Sequence, residues 1–272
     1  MKLTGKIFLV LILILAVLRF LEVAAPRSAY STVHFERGMR AEQQNEFLKA
    51  VKFYRKAVHY NPKNPLPYEG LGKIAKREGD IPQMVVYYQK AADAGSSNWE
   101  IYFEAGMFFF HQKDFSRAST FFVKAAELDR KNAQINFYSG LAYEAQEAYR
   151  EAINSFQTAI SNRYPAIEPV RYHLAICYYK IEDLIHTNGQ IELLKTLENA
   201  KADNLLEDLH KVIGWQDPQF RYRLGAQLYQ KGDIPGVKEQ VANLIKMNET
   251  ALAQKLQGLI DTPEAAFPQQ VP

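Results

Sequence analysis

The sequence predicts an all-α protein built as a stack of antiparallel helix pairs. Three observations carry that prediction. Small residues recur at a fixed interval: Gly38, Gly72, Gly106 and Gly140 are each 34 residues apart. Three further columns keep register with them. Twelve residues after each glycine stands Ala50, Met84, Ala118 or Ala152; sixteen after, Tyr54, Tyr88, Phe122 or Phe156; nineteen after, Ala57, Ala91, Ala125 or Ala159. The segments between read as amphipathic helices closed by breakers. In residues 46–65, EFLKAVKFYRKAVHYNPKNP, the side chains Ala50, Phe53, Tyr54, Ala57 and Val58 share one helical face, and Asn61-Pro62 ends the helix. A fixed period of some tens of residues marks a repeat array.

In chain order, residues 1–6 are a short basic leader with Lys2 and Lys6. Residues 7–25 are expected to form one hydrophobic helix, a signal anchor or a signal peptide. The unbroken apolar run at 7–18 is shorter than the roughly 20 residues of a spanning helix. Phe20, Leu21, Val23, Ala24 and Ala25 extend it, with Arg19 able to snorkel towards the headgroups. Cleavage after Val23-Ala24-Ala25 satisfies the small-residue rule but leaves Pro26 as a poor first residue, which favours an uncleaved anchor. No cysteine follows the run, which excludes a lipid-modified cysteine. Lys2 and Lys6 before it nearly balance Arg19, Arg27 and Arg37 after it. A short basic leader usually stays inside, so the rest of the chain is expected to be extracytoplasmic, in the periplasm or its equivalent, and secreted or periplasmic if the leader is removed.

Residues 31–166 hold the four regular copies. They resemble the tetratricopeptide repeat family, whose pattern asks for an aromatic, a Leu-Gly pair and a tyrosine in the first helix. Its second helix carries Ala, an aromatic and Ala, and a proline follows. The second copy supplies Tyr68, Leu71 and Gly72, the fourth Gly140, Leu141 and Tyr143, and the first ends at Pro62 in the family's proline position. The resemblance implies a right-handed superhelical solenoid of antiparallel helix pairs with a concave inner face. Small residues at the glycine and alanine columns let paired helices approach, and the aromatics fill the remaining space. Met84 departs from the alanine column and predicts looser packing there.

Residues 167–260 read as two divergent copies with an inserted helix and a capping helix. Leu174, Ala175 and Tyr178 mark one; Leu224 and Gly225 mark the other, followed by a Lys-Gly-Asp turn. Gly225 lies 50 residues after Ala175, sixteen more than one repeat, so the excess is read as a lengthened turn plus one short helix. The tail 261–272, with Pro263, Pro268 and Pro272, is expected to be disordered.

Composition narrows the function. With 33 basic and 30 acidic residues the net charge is +3, and no basic run suggests a nucleic-acid partner. The single cysteine, Cys177, cannot form an internal disulfide and reads as a small buried apolar residue. The six histidines stand alone, no catalytic or phosphate-binding motif is present, and paired acids such as Glu182-Asp183 read as solvated helix faces. The chain is therefore expected not to be an enzyme, and no cofactor or metal is called for. Asn248-Glu249-Thr250 matches a glycosylation sequon that carries weight only in a eukaryotic secreted chain.

What remains is the groove. The resemblance implies that bound peptides lie along the first helices at positions 2, 5, 9, 12 and 13 of each copy. This assigns a protein-binding groove to Phe35 and Met39 in the first copy and to Lys73, Lys76 and Arg77 in the second. The third copy adds Phe103, Met107 and Phe110, the fourth Phe137 and Leu141. The apolar members predict a contiguous partner surface, and the three basic residues a patch for a carboxylate or acidic side chain. Some family members clamp terminal carboxylates with Lys and Asn at positions 5 and 9; Phe35 and Met39 stand there instead. The expected occupant is an amphipathic helix or extended apolar segment of another protein. Self-association and a groove filled by the chain's own terminal helix are the alternatives. The functional expectation is a membrane-anchored scaffold or adaptor supporting an envelope complex; the alternative is an accessory chaperone for exported proteins.

Overall fold

A computed structural model describes residues 27–261. The expected hydrophobic helix at 7–25 and all but Asp261 of the expected disordered tail lie outside them. Among the described residues there are fourteen α-helices and no strand, and no helix is long and apolar enough to cross a membrane. The chain divides into two compact units between Leu128 and Asp129.

The first unit holds three helix pairs: α1 (Arg27–Gln43) with α2 (Phe47–Tyr60), α3 (Leu66–Arg77) with α4 (Ile81–Asp93), and α5 (Trp99–His111) with α6 (Phe115–Leu128). Each pair packs within itself, and α2 on α3 and α4 on α5 join successive pairs. The column residues explain the fit. Ala50, Ala57, Ala91, Ala118 and Ala125 are fully buried, as is Phe122, and Tyr54 and Tyr88 are nearly so. A Cβ added at Gly38 would stand 2.5 Å from the Tyr54 ring, and one at Gly106 2.6 Å from the Phe122 ring. The missing side chain is the space the aromatic occupies. Tyr54 is also gripped from the next pair, where a Cβ at Gly70 would come within 2.6 Å of it. Met84 is 3% exposed, so its larger side chain is buried as the alanines of its column are.

The second unit begins with α7 (Ala133–Glu144) paired with α8 (Tyr149–Ser161), where Gly140 faces Phe156 in the same way. α9 (Ile167–Lys180) then pairs with α10 (Leu184–Lys195). The excess of sequence forms α11 (Ala200–Ile213), which packs on both α9 and α10, ending at Gly214 in the left-handed region (φ 60°). α12 (Pro218–Gln230) returns directly onto α10 and pairs with α13 (Ile234–Lys246), so the insertion lies beside the stack and does not interrupt it. Gln227 ties the return: its side chain donates to the Glu182 carbonyl and accepts from the Leu184 N–H. α14 (Thr250–Asp261) covers α12 and α13. Here the small residue is filled differently. Gly225 faces Leu256 of α14, not an aromatic of its own pair.

The turn inside each pair repeats as faithfully as the core. Asn45, Gly79, Lys113, Glu147, Glu182 and Gly232 all have positive φ between 60° and 78°. The next residue caps the second helix wherever it is aspartate: Asp80, Asp114, Asp183 and Asp233 each accept a backbone N–H three residues on. Glycine takes the left-handed conformation freely at Gly79 and Gly232; the other four turns carry a side chain there at some cost.

Candidate functional site

The first unit contains a cavity of about 570 Å³ between α1 and α3, lined also by Phe47 and Tyr54 of α2. Phe35 and Met39 of α1 and Lys73 and Arg77 of α3 line it, so four of the ten residues expected in the groove meet here. Leu66 and Phe47 add further apolar wall. Met39 is 39% exposed and Phe35 half-buried, its ring 5.8 Å from Tyr54.

The charges around this cavity are unequally engaged. Glu42 accepts the Tyr54 hydroxyl proton in a short hydrogen bond. Burial first, and this bond second, push the Tyr54 pKa well above its ordinary value. Glu69 is buried and accepts from Ser96 Oγ at 2.6 Å and Asn98 Nδ2 at 3.0 Å, fixing the loop before α5. Both acids are oriented by these hydrogen bonds from neutral donors and keep their negative charge. Of the expected basic patch, Lys76 pairs with Glu104 of the next helix pair at 2.6 Å, and the Arg77 guanidinium lies 4.1 Å over the Phe47 ring. Lys73 is exposed and has no ion-pair partner among the described residues. It lines both the large cavity and a neighbouring one of about 410 Å³, which it shares with Lys76, Arg77, Glu100 and Glu104.

The remaining expected residues lie elsewhere. Phe103, Met107 and Phe110 on α5 are half-buried. Phe103 is 5.7 Å from Phe122 and 6.4 Å from Trp99; Phe110 is 5.4 Å from Phe115. They extend the repeat's own packing as much as they offer a surface. In the second unit, Leu141 is half-buried against the core. Phe137 departs from its expected place on a surface: it is 7% exposed, stacked on Tyr164 at 4.5 Å with His173 at 6.3 Å. Phe137 lies 6.0 Å from Phe156, the filler of its own pair, and Tyr164 of the following turn covers it. The matching turn positions after Phe35 and Phe103 are Pro62 and Arg130.

Phe47 was not among the expected groove residues, although the sequence held the signal. It stands nine residues after Gly38, and Ile81, Phe115 and Tyr149 stand nine after the next three glycines. Cys177 is fully buried, and burial raises its pKa far above the thiol range, as an unreactive core residue requires. Among the described residues no three His, Cys, Asp or Glu side chains gather in a metal-holding group.

Comparison with known proteins places part of this chain. Residues 100–132 match the family model described as tetratricopeptide repeat. No curated protein matches the sequence. Among solved structures, a protein described as YrrB, a TPR protein with an unusual peptide-binding site, is 18% identical with a TM-score of 0.49, covering 64% of this chain and 86% of its own. MamA is 19% identical with a TM-score of 0.48, covering 67% of this chain and 94% of its own. PilF from Pseudomonas aeruginosa is 16% identical with a TM-score of 0.40, covering 85% of this chain and 98% of its own. The family match spans α5 and α6 with the turn that follows them, and it supports reading residues 100–132 as a tetratricopeptide repeat whose 34-residue register the neighbouring helix pairs share.

Proposed function

We propose that this chain is a membrane-anchored scaffold or adaptor that binds a segment of another protein in the α1–α3 cavity and supports assembly of an envelope complex. The observation that carries the reading is an apolar wall set beside a lysine that has no ion-pair partner among the described residues. The wall is Phe35, Met39, Leu66 and Phe47 and the lysine is Lys73, while both lining acids are oriented by hydrogen bonds. Its volume lies within the range of about 300–1,000 Å³ typical of ligand sites. The complementary occupant is a peptide segment with a bulky apolar side chain next to an acidic one. A preformed wall lowers the ordering cost of such a segment, so binding needs no chemistry.

The membrane and extracytoplasmic parts of the proposal rest on residues 1–25, whose apolar run and basic leader suit a signal anchor. Alkaline extraction of membranes and a C-terminal reporter fusion test them: retention in the pellet with an extracytoplasmic reporter is expected, and release or a cytoplasmic-only reporter contradicts them.

The binding reading is tested on an array of short amphipathic peptides bearing Asp or Glu, each beside its Asn or Gln counterpart. The full chain should retain the acidic members. Lys73→Glu should reverse that preference, and Met39→Asp should weaken retention of all. Equal retention of acidic and neutral members by the unsubstituted chain overturns the proposal.

A further inference from the structure

The second unit repeats one polar pairing at a fixed interval. Arg171 and Arg221 are 50 residues apart, and so are Gln190 and Gln240. Each arginine Nη1 donates to the glutamine of its own helix pair, at 3.1 Å for Arg171 and 3.4 Å for Arg221. Arg221 Nη1 also donates to Asn188 Oδ1 at 3.3 Å. All these acceptors are neutral amides. The acids whose charge reaches Arg221 are Glu192 and Glu239, and neither is an ion-pair partner.

The two arginines differ in what surrounds them. Arg171 Nε is buried with no partner, whereas no nitrogen of Arg221 is sealed off in that way. Arg221 opens instead on a cavity of about 330 Å³ lined also by Gln216, Asn243, Lys246 and Met247. Two cations, two amides and no acid face this space. Lys246 is exposed and has no ion-pair partner among the described residues. The indole of Trp215, 8% exposed, lies 5.8 Å from the Arg221 guanidinium and 4.5 Å from Lys195 Nζ. Desolvation by burial lowers the Arg221 pKa, as expected of a half-buried cation with incomplete compensation. A cation so placed gains most from a bound anion, and a guanidinium offers an oxyanion two parallel hydrogen bonds.

We propose that this cavity is an oxyanion site, in which Arg221 and Lys246 hold a carboxylate or phosphate group and the Gln216 and Asn243 amides donate to it. The site belongs to the second unit and stands independently of the α1–α3 cavity.

Trp215 supplies the reporter. The chain has two tryptophans, so Trp99→Phe leaves Trp215 alone in the full-length protein. Its emission is followed while inorganic phosphate or acetate replaces chloride at constant ionic strength. Calorimetry on the unsubstituted chain checks the same titrations without the indole. A saturable response is expected. Phosphate alone acting assigns a phosphorylated group; acetate acting as well assigns a carboxylate. Arg221→Gln and Lys246→Glu should each weaken binding at least about tenfold. Arg223→Gln, an exposed arginine on the same helix, should leave it unchanged. Absence of saturation above the chloride control overturns the proposal. So does parental binding by Lys246→Glu, whose exposed side chain can change without disturbing the fold.

Discussion

The two units use the same position in the helix pair for opposite chemistry. Four residues before each small residue of the first helix, and fifteen after it, stand two side chains on paired helices. In the first unit they are aromatic: His34 stacks on Phe53 at 6.2 Å, and Tyr102 lies 6.4 Å from Phe121. In the second unit the same positions hold Asn136 and Ser155, then Arg171 with Gln190 and Arg221 with Gln240. The helix pairing is kept while the contact changes from one between rings to hydrogen bonds at the two arginine pairs. One lesson is that the close-approach columns, not this outer pair, hold the fold together. The other is that the outer pair is free to acquire a ligand.

The largest test is removal of the fillers. Phe122 is fully buried against Gly106, and Phe122→Ala should cost about 3–5 kcal/mol in a denaturant melt. Leu256 fills Gly225 from α14, and Leu256→Ala should cost about 2–5 kcal/mol. Hydrogen exchange should show that loss concentrated in α12–α14. An unchanged melt for Phe122→Ala would break the register itself.

Approaching the same contact from the other side, Gly106→Ala places a Cβ 2.6 Å from the Phe122 ring and should cost about 1–3 kcal/mol. Gly189→Ala meets nothing within 4 Å and should be neutral or slightly stabilising. The two melts together separate close contact from the general effect of replacing glycine in a helix.

A third test moves the aromatic pair across. Arg171→Tyr combined with Gln190→Phe removes a half-buried cation and an unpaired Nε, and should stabilise the second unit by about 1 kcal/mol. Destabilisation would show that the polar pair is a structural requirement of the divergent copies. The smallest effect is expected in the turns. Glu147 has φ 60°, and Glu147→Gly should stabilise by about 0.5–1 kcal/mol in the same assay.

Much of this was legible in the sequence because close packing leaves a fixed mark. Gly38, Gly72, Gly106 and Gly140 could be read together with their fillers, since only a small residue admits a ring at that distance. The turn column at Asn45, Gly79, Lys113 and Glu147 was harder, because only some of its members are residues that favour positive φ. The spacing of 50 between Ala175 and Gly225 was legible too, but that Arg171 and Arg221 each bond a glutamine of the paired helix shows only in the fold. The binding face was the least legible part. Phe35, Phe103 and Phe137 share one column and one local contact, yet Tyr164 buries only the last. Similarly, Lys73, Lys76 and Arg77 look alike in sequence, and only the fold shows that Glu104 and Phe47 engage two of them.

The most direct test of the account is site-specific photocrosslinking in intact cells from two exposed positions of the first unit. Met39 lines the α1–α3 cavity, whereas Leu48, 86% exposed, lies outside it. A crosslinker at 39 should capture a discrete partner that Lys73→Glu abolishes and that binds again when both proteins are purified; one at 48 should capture none of it. Equal capture from both positions, or capture from 39 that ignores Lys73→Glu, would contradict the assignment of this cavity as the working surface.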